Sequence, residues 1–305
     1  MSFMGLEMKN TEILKFVSVI IPTFGRADYI VRAVESVLKQ ENCEVEIVVV
    51  DDNGKDTENQ INTEQQLAPY LDLNNFIYHA RSRNGGGGAA RNDGIKMSTG
   101  KYVTFLDDDD EYLPLKIKKQ LDSLVESGAD VCLCGAYYYN QGNKLERYIG
   151  GPVGRTLKEF LLAGVALTPM IMVRRNVLDA VGGFEDSPRF QDHILMLKIL
   201  HKGFSVNIIN DRLYKCYRHG GDRISTSPKS HEGFLKKHDL ENRMSAVFER
   251  EFIRKLKLKQ ELELLPFLTY GKAINRGIKM MLLKDADRVS IIKVMIKLTI
   301  SRCGI

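Results

Sequence analysis

In Tyr102-Val-Thr-Phe-Leu-Asp-Asp-Asp-Asp-Glu111 an apolar run passes without a spacer into five consecutive carboxylates. A short β-branched and aromatic run of this kind reads as a buried strand. Like charges repel, so four neighbouring aspartates are costly to gather unless a cation balances them. Hard ions such as Mg2+ and Mn2+ prefer carboxylate oxygen together with substrate phosphate. A solvated turn or a helix N-cap would need one aspartate, not four. In an extended segment residues two apart face the same way, so Asp107 and Asp109 are expected to form one pair and Asp108 and Asp110 the other.

Upstream, Phe16-Val-Ser-Val-Ile-Ile-Pro22 reads as a strand stopped by proline. Asp28 offers an N-cap, and Ile30, Ala33, Val34, Val37 and Leu38 then recur at helical spacing. Val45-Glu-Ile-Val-Val-Val50 is a second strand ending in Asp51-Asp-Asn-Gly54. A helical stretch near 57–70, a strand at Phe76-Ile-Tyr78, a glycine tract at 85–88 and a helix from Ala89 to about Met97 follow. The alternation predicts an α/β fold, Rossmann-like, with a mostly parallel central sheet flanked by helices. Ligands of such sheets bind at the carboxyl ends of the strands. Downstream, Leu115–Ser127 reads as a helix and Val131–Tyr138 as a strand. Met170–Val173 is a further strand, then come a helix near 176–181, a Gly182-Gly183 turn and a helix from Asp192 to about Lys202. Residues 231–305 read as a helical C-terminal extension with one break at Pro266. The expected division is therefore an N-terminal extension (1–15), a catalytic unit (16–230, in halves 16–112 and 113–230) and a helical region (231–305).

With 44% hydrophobic and 27% charged residues among 305, the chain can bury a sizeable core and is not of disordered composition. Net charge is only +5, but Lys236, Lys237, Arg254, Lys255, Lys257 and Lys259 cluster late in the chain. A phosphorylated ligand, nucleic acid or an anionic membrane could draw them, as could a plain solvated helix face. Cys43, Cys132, Cys134, Cys216 and Cys303 are odd in number and lack paired C-x-x-C spacing, so a reducing compartment is expected. Met1–Lys15 has no apolar signal core, and no stretch reaches about 18 apolar residues. A cytoplasmic protein is expected, with a peripheral place on the membrane's cytoplasmic face compatible.

Other constellations stay open from the residues alone. Asp51-Asp52-Asn53-Gly54 is either turn chemistry or a carboxylate placed for a nucleobase or ribose hydroxyl. Arg81, Arg83 and Arg91 flank Asn84-Gly-Gly-Gly-Gly88, which is either a flexible loop or a tract whose N–H groups approach a pyrophosphate. Asp192 is either a helix-initiating residue or a base.

Together these motifs resemble family 2 glycosyltransferases of GT-A fold. The resemblance is carried by Val17-Ser-Val-Ile-Ile-Pro-Thr-Phe-Gly-Arg26, Ile47-Val-Val-Val-Asp-Asp-Asn53, Asn84-Gly with Ala89-Ala-Arg-Asn-Asp-Gly-Ile95, and Gly100-Lys-Tyr-Val-Thr-Phe-Leu-Asp-Asp-Asp-Asp110, in register over roughly residues 16–225. It implies a nucleotide-sugar site, UDP-linked, using Pro22, Phe24 as the base-stacking ring, Arg26, Asp52 against uracil, Arg91, Asp107 and Asp108. It makes Asp109 the direct ligand of Mn2+ or Mg2+. Gly182–Lys198 is similar to the acceptor-side segment, with Gln191-Asp192 where the family usually has Glu-Asp, and Asp192 falls on the base position. Tyr217–Ser225 resembles the closing loop, with His219 a further metal ligand and Arg223 a phosphate contact. His79, His193, His201, His231 and His238 receive no role.

The implied reaction is an inverting transfer from a UDP-hexose or UDP-N-acetylhexosamine to a glycan or lipid-linked saccharide, as in O-antigen or capsule synthesis. No nucleic acid partner is expected. Gln191 motivates an alternative, a non-catalytic nucleotide-sugar binding or scaffold protein. Nucleotidyl transfer would be expected to carry a glycine-rich loop after the first strand, and Pro22–Arg26 has one glycine. Val289–Ile300 has Lys293 and Lys297 among apolar residues, which suits core or homodimer packing or an anionic lipid surface.

Overall fold

The computed structural model describes residues 16–140, 144–149, 152–217, 230–283 and 285–303. Strands β1 (Val17–Thr23), β2 (Val45–Asp51), β3 (Phe76–Ala80) and β4 (Tyr102–Phe105) run parallel in the order β3-β2-β1-β4. The sheet continues through β8 (Ile171–Arg174), β6 (Val131–Tyr139), β9 (Val206–Tyr217) and β5 (Glu111–Tyr112), while β7 (Leu145–Ile149) pairs with β6. β8 is antiparallel to both β4 and β6, so β6 points the same way as β4. β9 runs parallel to β6. The carboxyl ends of β1, β2, β4, β6 and β9 therefore share one edge.

Both sheet faces are covered. On one lie α1 (Ala27–Leu38) and α4 (Lys116–Ser127), packed on Val17, Val19, Ile21, Ile47 and Val49. On the other, Ile20, Val48, Val50 and Phe105 meet α3 (Gly86–Met97), α5 (Leu157–Ala163), α6 (Arg175–Val181) and α7 (Gln191–His201). α2 (Glu58–Leu67) flanks α1. Of the late helices, α8 (Ser230–Ser245) and α9 (Arg250–Leu264) send Met244, Phe252 and Leu256 into that second core. α10 (Tyr270–Met281) and α11 (Arg288–Cys303) close a small core of their own around Leu265, Ala273, Met280, Ile291 and Leu298.

Several local expectations change. β1 runs through Pro22 to Thr23, because its ladder to β4 ends at Ile20 and Pro22 is paired only with β2. α1 begins with Arg26 as its cap residue, leaving Asp28 in the first turn. α3 starts at Gly86, inside the glycine tract, three residues ahead of Ala89. The late helices are interrupted near 246–249 and 282–287 as well as at the turn containing Pro266. The basic cluster is largely paired: Lys236 with Glu232, Lys255 with Glu251, Arg254 with Asp285, and Lys237 and Lys259 with Glu241 and Glu263.

α3 lies close on the sheet because Gly94 has no side chain. A Cβ there would stand 2.5 Å from Ile20 Cγ2 and 3.3 Å from Val50 Cγ2. Gly94→Val should destabilise the protein by about 2–3 kcal/mol through overpacking, read from the midpoint of urea unfolding. An unchanged midpoint would show that the contact relaxes freely.

Candidate active site

The acidic segment after β4 is not extended. Asp110 N donates to Asp107 O at 3.0 Å, closing a turn that sends the four carboxylates in different directions. The expected pairing of Asp107 with Asp109 therefore fails. Asp108 and Asp109 are instead joined by one guanidinium, Arg26 Nη1, at 3.1 and 2.5 Å. Asp108 also accepts from Thr23 Oγ1 at 2.8 Å and from Phe24 N at 3.4 Å. Asp107 turns to Arg91 Nη2 at 2.6 Å. Asp110, buried, accepts from Tyr217 N at 3.1 Å at the end of β9.

The turn is anchored from behind. Leu106 N donates to Ile20 O, Tyr112 Oη to Phe105 O, and Arg32 Nη2 to Asp109 O. Burial pushes the Asp108 carboxyl up to about 7, with Asp109 adding repulsion and Arg26 pulling down. Burial, then Asp109 and Asp107, holds Asp110 well above the usual carboxylate range. Two of the four acids thus favour protonation, and a guanidinium already lies between Asp108 and Asp109. Carboxylate oxygens are the donors a hard divalent ion takes, but here Arg26 and Arg91 hold three of the four, so an ion would have to displace them.

Across this edge stands the start of α7. Arg91, from α3, donates through Nη1 to Gln191 Oε1 at 2.9 Å while Nη2 holds Asp107. Its Nε is buried without a hydrogen-bond partner, and its guanidinium centre lies 5.6 Å from the Phe184 ring. Gln191 Nε2 donates to Ser187 O at 2.8 Å. Asp192 accepts from His193 N at 2.7 Å, and burial pushes its carboxyl up to about 6 against the pull of Arg91. Gly183, at φ +63°, brings the 182–185 loop onto α3, where Asn92 bonds both Phe184 N and Phe184 O.

Asp52 is not open to a ligand. Arg81 Nη1, Asn84 Nδ2 (3.1 Å), Gly85 N (2.9 Å) and Gly86 N (2.7 Å) all donate to its carboxylate. A carboxylate has about four acceptor positions, and all are used. Asp52 thereby caps α3 from a neighbouring strand and shapes the glycine tract, so uracil recognition would have to displace one of these donors. Phe24 is 56% exposed beside Asp108, and Pro22 is half-buried in β1. His219 and Arg223 lie outside the described residues. The roles of Thr23, Arg32 and Asn92 carry no local signal, since each depends on a partner far away in sequence.

The fold is that of the GT-A glycosyltransferases. S. aureus TarS 1-349, solved in complex with UDP-GlcNAc, aligns with a TM-score of 0.61 at 20% identity, covering 95% of this chain and 92% of that one. The chain belongs to glycosyl transferase family 2, whose model matches residues 18–182, and it is a glycosyltransferase. It is 30% identical over 213 residues, 69% of this chain and 82% of the relative, to the putative teichuronic acid biosynthesis glycosyltransferase TuaG of Bacillus subtilis (strain 168). To the putative colanic acid biosynthesis glycosyl transferase WcaA of Escherichia coli (strain K12) it is 27% identical over 243 residues, 76% and 83% of the two chains.

Asp52→Asn would turn two of the four acceptor positions into donors facing donors. It should lower stability by about 2 kcal/mol, measured by denaturant titration without nucleotide. Wild-type stability with weakened UDP binding would assign Asp52 to the ligand alone.

Proposed function

We propose that this glycosyltransferase is inverting and metal-dependent. It would transfer a hexosyl or N-acetylhexosaminyl group from a UDP-sugar to a saccharide, free or lipid-linked, in surface-polysaccharide synthesis. The observation that carries this reading is Arg91, whose two terminal nitrogens tie Asp107 of the acidic turn to Gln191, the residue before Asp192. One side chain spans from the donor side to the base helix. TarS, solved with UDP-GlcNAc and with UDP, supports a UDP-linked donor. The names of TuaG and WcaA support a bacterial polysaccharide as product.

In this reading the diphosphate lies along the carboxyl edge, where Arg26 and Arg91 can exchange their carboxylate partners for phosphate oxygens. Asp109, released from Arg26, would hold Mn2+ or Mg2+, which when bound supplies charge neutralisation for the departing UDP. Phe24 offers an exposed ring for the base, with Pro22 and the Asp52-capped loop bounding the pocket. His219 and Arg223 keep the parts that the resemblance implies. Asp192 takes the proton of the acceptor hydroxyl as that oxygen bonds to the anomeric carbon and the phosphate oxygen departs. A single displacement of this kind inverts configuration. A carboxyl near 6 is mostly ionised at neutral pH yet more basic than a solvated aspartate, as a general base requires.

The membrane side of the proposal rests on α10 and α11. Ile278, Leu282, Val289, Ile292, Ile296 and Ile300 are exposed there beside exposed Lys279, Lys293 and Lys297. Apolar side chains interleaved with lysines suit an anionic lipid surface. No helix of the described residues is long and apolar enough to cross a membrane.

Asp192→Asn should lower UDP release from the donor by at least about a hundredfold with UDP affinity unchanged. Wild-type kcat/KM should fall below about pH 6 as Asp192 becomes protonated. EDTA should abolish turnover and Mn2+ restore it, and turnover persisting in EDTA would remove the metal from the scheme. Wild-type protein should sediment with phosphatidylglycerol vesicles but not with phosphatidylcholine, and the pair Ile292→Asp with Ile296→Asp should release it. A halved mass in light scattering for that variant, without wild-type lipid binding, would assign the face to a homodimer instead.

A further inference from the structure

The start of α7 is under strain, and what holds it comes from the C-terminal helices. Phe190, immediately before α7, has φ +65°, a left-handed conformation that an aromatic residue rarely adopts. Such a conformation persists only where the surroundings over-determine it. Here α8 does so: the Phe234 ring meets Phe190 edge-on at 4.6 Å, Lys237 Nζ lies 4.8 Å from the Phe190 ring centre, and Arg189 stacks over both rings while Nη1 bonds Ser230 Oγ at 2.5 Å.

A second clamp acts one residue after Asp192. His193 is buried, its ring 4.8 Å from that of Phe160, and its Nε2 lies 3.1 Å from Glu241 Oε1 on α8. Glu241 is 0% exposed. It also takes Gln260 Nε2 at 2.9 Å, with Lys259 and Lys237 ammonium groups at 3.5 and 3.7 Å. Burial works against the Glu241 anion, but His193, Lys237 and Lys259 prevail and hold its carboxyl at about 2. Burial depresses His193, so the neutral ring donates from Nε2. His238, Glu241 and Glu263 bring three ligand-type groups together, but Lys237 Nζ lies 2.7 Å from both Glu263 oxygens and already supplies the positive charge. The cluster is an ion network whose carboxylates are already met by lysine.

We infer that His193, Glu241 and Phe190 are positioning residues for Asp192, and that α8 and α9 belong to the catalytic machinery rather than to an appendage. Asp192 stands between the two clamps, with its Oδ1 bonded to the backbone N–H of His193. A shift of the His193 backbone would move the carboxylate away from the acceptor hydroxyl. Displacement of a catalytic group by about 1 Å can cost up to two orders of magnitude in rate.

The inference rests on the proposed role of Asp192 as base, and the test separates the two. His193→Phe keeps a ring against Phe160 but removes the bond to Glu241, leaving the Lys237, Lys259, Glu263 and Gln260 contacts to hold the fold. In a Mn2+-dependent UDP-release assay with the full chain and UDP-GlcNAc, kcat should fall about tenfold. KM for the donor and calorimetric UDP affinity should stay within about twofold. His193→Gln, which can still offer an N–H to Glu241, should recover much of the loss. In the Asp192→Asn background, His193→Phe should cost nothing further, because its effect passes through the missing carboxylate. An equal fall in both backgrounds, a fall in UDP affinity matching that in kcat, or unchanged kcat would each overturn the inference. Near-normal turnover in Asp192→Asn alone would instead overturn the base assignment.

Discussion

Four carboxylates at the end of one buried strand can be held only if positive charge meets them, and in this protein two arginines do so from different sides. Arg26, at the start of α1, takes Asp108 and Asp109; Arg91, from α3, takes Asp107. Each guanidinium is thus fixed by the charge it neutralises, and each ties its helix to the acidic turn. An ion pair on an open surface would contribute little, but these partners are half-buried or deeper, where leaving one charge unpaired is expensive. The acidic turn therefore organises the edge in its own right.

Asp52 holds the start of α3. Its carboxylate receives the N–H groups of Gly85 and Gly86, which a glycine-rich helix start would otherwise leave exposed. Asp52 at one end and Gly94 along the body determine where α3 lies on the sheet, and so where Arg91 can reach. The glycines let the backbone approach closely, and the aspartate stops the tract from being loose. A residue that seemed suited to a nucleobase is, in this arrangement, first a structural anion.

The parallel half of the sheet was legible because its strands are buried on both faces and their apolar runs are unbroken. β7 and β9 were not legible in the same way: β9 is interrupted by Asn207, Asn210, Asp211 and Arg212, and its place is set by pairing to β6 rather than by its own pattern. The acidic run looked extended from its neighbours, yet the bond from Asp110 N to Asp107 O and the grip of Arg26 turn it. The start of α3 depends on a carboxylate 34 residues earlier, beyond any local signal. Lys237 and Lys259 read as part of a basic cluster open to a ligand, a membrane or solvent, and only the packing of α8 on α9 turns them into partners of Glu241 and Glu263.

Gln191 is where the sequence departs from the pattern it otherwise follows, and the geometry gives that departure a physical sense. Its Oε1 accepts from Arg91 as a carboxylate oxygen would, and its Nε2 donates to Ser187 O, which a glutamate could not do. A glutamate in its place would set a further anion beside Asp192 and Asp107, at an edge where Asp108 and Asp110 already favour protons. The amide keeps the bridge and omits the charge. The substitution therefore leaves the link between the acidic turn and the start of α7 intact. It also leaves Arg91 with one anionic partner, Asp107, instead of two, so its remaining positive charge falls on Asp192.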